Sequence, residues 1–181
     1  MRSILICALV LSLGAICYGQ NIQTIHFKVG VSSMPLSIAG GDIELDGLMA
    51  GTTYSAVPDG AGSLIVTPND GSVRVSNSNE TVIRGDLNAK VLISFVLPTH
   101  LYPSGGTGNG FVVTRFTSNS AAWGPSGAEN NYFDPKNPTQ VSLDALGAVY
   151  VSLGGVFEVP YTTGDDTYVG DALLTAQYTG L

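Results

Sequence analysis

Apolar and β-branched residues in this chain gather in short runs, and nearly every run is closed by Gly, Pro, Asn or Asp. Such punctuation leaves little room for a helix and a great deal for strands. Ile25, Phe27, Val29 and Val31 alternate with His26, Lys28 and Gly30, the period of two that sets successive side chains on opposite faces. Pro35 to Ile38 and Ile43-Glu44-Leu45 are shorter strand candidates. Leu64 to Thr67 and Ser72 to Ser76 flank Asn69-Asp70-Gly71, which predicts a tight hairpin because Gly accepts the positive φ of primed turns. Thr81 to Arg84 and Lys90 to Leu97 flank Gly85-Asp86. The second of these runs is almost wholly apolar, as expected of a strand that is central or covered on both faces. Phe111 to Thr117 is another β-branched and aromatic run. Gly, Pro, Asn and Ser dominate from Ser118 to Thr139, which reads as a loop. Four runs close the chain, at 140–143, 148–153, 156–159 and 172–178. Ten or so strands with turns between them predict an all-β chain, a single immunoglobulin-like antiparallel β-sandwich. There is no internal repeat and no sign of a second domain.

The first nineteen residues read differently. Arg2 precedes an apolar stretch from Ile4 that continues to Ile16, and the small residue Gly19 follows. This is the layout of a secretory signal, too short for the roughly 20 apolar residues of a membrane span. The expectation is a signal peptide at 1–19, cleaved after Gly19, and a β-sandwich domain at 20–181. The exported product would reside in the periplasm, at the cell surface or outside the cell, with no membrane span left after cleavage. Cys17 stands where a lipid-modified cysteine would, but Ile16 is bulky where bacterial lipoprotein signals carry Gly or Ala. Both cysteines, Cys7 and Cys17, fall within the leader. The mature chain is therefore cysteine-free, and strand pairing and packing alone must hold it together.

Charged residues make up 12% of the 181-residue chain, and the formal net charge is −7. Nucleic-acid binding draws on basic patches, so this balance excludes that class of partner. Catalytic and metal motifs are likewise missing. Asp42-Ile43-Glu44-Leu45-Asp46-Gly47 opens like a calcium loop, but the twelfth position is Thr53 rather than a bidentate carboxylate. Ile43 and Leu45 between the acids suggest instead a strand with one wet and one dry face. Asp165-Asp166 follows Gly164 and reads as a solvated turn. Gly124-Pro125-Ser126-Gly127 lacks a spacer of the nucleophile elbow, and His26 and His100 have no zinc-type spacing. The reading is a non-enzyme with no cofactor and no metal. Asn79-Glu80-Thr81 fits a glycosylation sequon, which matters only in a cell with the machinery.

Two places remain as candidate sites. Trp123, Tyr132 and Phe133 stand among Asn119, Asn130, Asn131 and Asp134, and rings beside amides can stack on and hydrogen-bond a glycan. The same rings would equally cap one end of a sandwich. The second place is the alternating run Ile25, Phe27, Val29 and Val31, which is either an ordinary first strand or an assembly strand.

Several segments, taken in order, resemble a family of exported bacterial β-sandwich domains of unknown function related to fimbrial major subunits. The resemblance runs through Leu45-Asp46-Gly47-Leu48, Gly62 to Gly71, Val82 to Asp86 with Leu97-Pro98, and Val151 to Gly155 with Tyr168-Val169-Gly170 and Tyr178. Together these span most of Ile43 to Tyr178. The chain departs from the pattern at Gly47, where the family has Phe before Gly, and in its longer 118–139 segment. The resemblance implies a Gly-centred hairpin at Gly85 and brings no catalytic residues. It implies an exported structural or surface-assembly role, with self-association or other surface subunits as partners, sometimes by donor-strand exchange. In that mode Ile25, Phe27, Val29 and Val31 would complete a neighbour's sheet. The alternative is a surface adhesin or carbohydrate-binding module using the 118–139 loop.

Overall fold

The computed structural model describes residues 34–75, 80–104, 111–115 and 120–180, all within the unit Ser33–Leu181. The expected signal peptide and the run Ile25, Phe27, Val29 and Val31 lie outside the described residues. Among the described residues there is no helix, so none is long and apolar enough to cross a membrane. The chain is all-β, built from antiparallel sheets.

One sheet has the order β1-β6-β13-β10-β11, with β1 Ser37–Gly40, β6 Glu80–Arg84, β13 Ala148–Leu153, β10 Ala121–Gly124 and β11 Asn131–Phe133. A second has β7, Lys90–Val96, between β12, Thr139–Ser142, and β16, Leu173–Gly180. These two close on a common core. Ile83, Val149 and Val151 come from the first, Val91, Ile93 and Val141 from the second, and all are buried. The nearly continuous apolar run at 90–97 is thus a central strand, as its composition predicts. Alternation along β16 puts Leu174, Ala176 and Tyr178 against this core and leaves Leu173, Thr175 and Gln177 outside.

A third sheet runs β15-β8-β9-β14-β3-β4, with β15 Tyr168–Val169, β8 His100–Pro103, β9 Phe111–Arg115, β14 Gly155–Val159, β3 Thr52–Pro58 and β4 Leu64–Thr67. A short pair of β2, Leu45–Asp46, and β5, Arg74–Val75, completes the set. Tyr54, Ala56, Leu64, Val66, Phe157 and Val159 form the core of this part, with Leu45 and Val75 packed against it. The two cores meet at Leu153, which touches both.

They meet there because β13 and β14 are one run of chain interrupted only by Gly154. The Gly154 amide donates to the Ser120 carbonyl. A Cβ at this position would sit 2.2 Å from the Ala56 carbonyl oxygen. No side chain fits so close to backbone, so glycine is what allows one strand to pass from sheet to sheet.

Two turns differ from expectation. Asn69-Asp70-Gly71 does reverse the chain: Gly71 has φ 95°, and the Asn69 and Asp70 carbonyl and carboxylate oxygens accept from the Gly71 and Ser72 amides at 2.8 and 2.9 Å. Yet it closes no hairpin, since β4 pairs with β3 and β5 pairs with β2. Gly85-Asp86 likewise carries the chain from the first sheet to the second, so the Gly-centred hairpin is corrected to a crossing turn. That turn is fixed from outside. The Asp86 carboxylate accepts from the Met34 amide at 2.7 Å, and the Tyr178 hydroxyl accepts from the Asp86 amide and donates to the Met34 carbonyl, each at 2.7 Å.

Replacing Tyr178 by Phe removes the link between the Asp86 amide and the Met34 carbonyl, and chemical denaturation should register a loss of about 0.5–1.5 kcal/mol. Gly154→Ala forces backbone apart at the sheet crossing and should cost ~1–3 kcal/mol by overpacking.

Candidate functional site

The 118–139 segment is not simply a loop. Ala121–Gly124 and Asn131–Phe133 pair as an antiparallel hairpin, with Trp123 opposite Asn131 and Ala122 opposite Tyr132. This register decides where the three aromatic residues go. Trp123 and Phe133 share the face that carries Val151 and Ala121, and both pack on the core, where the Phe133 ring lies 6.3 Å from that of Phe95. Tyr132 is on the opposite face and 46% exposed. The hairpin therefore separates the rings and presents only Tyr132 to solvent as an open aromatic surface.

A larger feature lies elsewhere. A cleft of about 1030 Å³ is bordered by the 40–48 segment, the 163–170 turn and residues of all three large sheets. Its apolar wall is supplied by Phe95, Leu101, Leu153, Phe157 and Leu174. All except Phe157 are only half-buried, so apolar surface here is left without full cover. Each is placed by its strand: Phe95 and Leu174 are cross-strand partners on β7 and β16, while Leu153 and Phe157 lie on either side of the Gly154 crossing.

Five carboxylates border the same cleft: Asp42, Glu44, Asp46, Asp165 and Asp166. The first three alternate with half-buried Ile43 and Leu45, the wet and dry faces that the sequence predicts. Asp46 stands opposite Arg74 across the β2–β5 pair. Asp165 and Asp166 are exposed on the turn, where the Asp166 carboxylate accepts from the Thr167 amide at 2.7 Å. Among the described residues, no Lys or Arg borders the cleft. Sequence reading found both acidic groups but gave no sign that they converge, since more than a hundred residues separate them.

The remaining chemistry is sparse. Ser126 donates to Glu80 rather than to a histidine, and His100 contacts Thr99 at 3.1 Å on the surface. His26 lies outside the described residues. Among the described residues, no group of three or more His, Cys, Asp or Glu could hold a metal ion. An apolar wall with an acidic border can take a partner that is itself apolar and basic. No family model, curated protein or solved structure matches the chain.

Trp123→Ala should lower stability by about 3 kcal/mol, since a large ring leaves the core. Tyr132→Ala should change it by less than about 1 kcal/mol. Thermal unfolding of both variants, beside a glycan-array screen, separates a packing role from a binding role for these rings.

Proposed function

We propose that this chain is an exported, non-catalytic structural or surface-assembly protein, a fimbrial-type subunit. In this reading residues 1–19 are a cleaved signal, and 20–181 are a single immunoglobulin-like β-sandwich acting at the cell surface, in the periplasm or outside the cell. The observation that carries it is the match between the cleft and the run Ile25 to Val31. Ile25, Phe27, Val29 and Val31 supply an apolar face at strand spacing, while His26 and Lys28 supply the basic groups that an acidic border attracts. Seven extended residues reach roughly 23 Å. The run of one copy would seat in the cleft of the next. The adhesin alternative draws on Tyr132, the one exposed ring of its three candidates.

Light scattering after size exclusion, with electron microscopy of large species, tests this on the chain from Gln20 beside a version from Val31. Assembly of the first alone is the expected result. Lys28→Glu should weaken that assembly, and salt should weaken the wild type over a Debye length of roughly 8–10 Å. A stable monomer from Gln20 that simply unfolds on truncation would instead make the run an ordinary strand of its own domain.

A further inference from the structure

On the face of the first sheet away from its core, Glu80, Ser152, Ala122 and Tyr132 form one row across β6, β13, β10 and β11. This row should be wet, yet Ala122 and Ser152 are buried, because the turn between β3 and β4 folds over it. Gly60 of that turn comes within 2.9 Å, measured from an added Cβ, of the Asn130 side chain, and Gly62 within 2.8 Å of Glu80. Under this cover, the loop joining β10 to β11 brings in Glu129, which is 0% exposed.

The two glutamates are wired together. The Gly127 amide donates to Glu80 Oε1 at 2.7 Å and to Glu129 Oε1 at 2.9 Å, and the Ser126 hydroxyl donates to Glu80 at 3.1 Å. Glu129 Oε2 is buried and accepts no hydrogen bond, as does the buried Ser152 hydroxyl oxygen nearby in register. Two full negative charges at such a place would repel across a medium that screens poorly.

We propose that Glu80 and Glu129 form a proton-shared carboxyl–carboxylate latch that fastens the 125–130 loop to β6 and loosens when the second carboxyl ionises. No cation is among the groups that act on Glu129, and a proton can bridge the pair. Asp59 of the covering turn spends its carboxylate on the Ala61 and Ser63 amides, at 2.7 and 3.0 Å. Tyr132 on β11 and Tyr150 on β13 are phenols, and Arg84 lies at the far end of β6, opposite Ser37 and Ala148. Among the groups acting on the two carboxyls are each other, the Gly127 and Glu129 amides and the Ser126 hydroxyl. A calcium ion needs six to eight oxygens, whereas a proton needs two.

Burial first, and then the neighbouring Glu80, push the Glu129 carboxyl up to about 7. Burial pushes Glu80 up as well, but its hydrogen bonds with Glu129, the Gly127 amide and the Ser126 hydroxyl together hold it below the ordinary value. The sign follows. Below the ordinary glutamate value the latch strengthens as pH rises, because Glu80 gains its charge more easily in the closed form. Between that value and about 7 the closed form holds one proton more than the open form, so the latch weakens by up to tenfold per pH unit. Above this window the weakening is complete.

The test is carboxyl-carbon NMR of Glu129 and hydrogen-exchange protection at the Gly127 amide, from pH 4 to 9, on the full described domain with its leader removed. Glu129 should titrate near 7, and Gly127 protection should fall by up to about tenfold per pH unit between pH 5 and 7. Glu129→Gln, which keeps a donor but cannot ionise, should flatten that profile. Glu80→Gln should bring the Glu129 midpoint down while burial keeps it above the ordinary range. Titration of Glu129 at the ordinary value, or an unmoved midpoint in Glu80→Gln, overturns the latch, and these two readings stand even if Glu129→Gln fails to fold. Restoration of Gly127 protection at pH 8 by millimolar calcium overturns it too, in favour of a metal site.

Discussion

The structure depends on a single stretch of backbone, 148–159, that belongs to two sheets. Its first half pairs with β6 and β10 and its second half with β3 and β9, so each core is completed by the same run of chain. The change of sheet happens at one residue, where the Gly154 amide meets the Ser120 carbonyl and the Ala56 carbonyl lies too near for any side chain. With no cysteine after Cys17, nothing covalent substitutes for this junction. Leu153, immediately before it, packs on both cores and so couples them.

The same crossing borders the cleft, where Leu153, Gly154 and Phe157 line one space with Phe95 and Leu174. Phe95, Leu153 and Leu174 are held half-open there, the surface on which the proposed assembly strand would seat. In that proposal the acidic border would favour strands that carry basic groups, before contact as well as after it.

The strands legible in the sequence are those whose pattern is local. The apolar run at 90–97, the closing runs near 140, 148, 156 and 173, and the alternation of Asp42, Glu44 and Asp46 with Ile43 and Leu45 all stand where residue type alone places them. What the sequence conceals is partnership. Asp-Gly at 70–71 suits a hairpin, and whether one forms depends on which strand β5 meets, a choice made by distant Leu45. Ala121 to Gly124 is too short and too small-sided to signal a strand, and it becomes one because β13 offers it a ladder. Glu129 sits in a Gly- and Asn-rich stretch that reads as solvent-facing. Only the folding over of the β3–β4 turn, anchored by Gly60 and Gly62, puts it indoors beside Glu80.

The hydroxyl of Tyr178 also has a mechanical meaning. It joins the Met34 carbonyl to the Asp86 amide, linking positions 144 and 92 residues away along the chain. Tension arriving from upstream of Met34 would not peel β1 off its neighbour one residue at a time. It would be shared at once between the β6–β7 turn and the last strand, which are loaded in parallel. With no cysteine beyond Cys17, such a clasp is what lets hydrogen bonds resist a pull as a group rather than in succession.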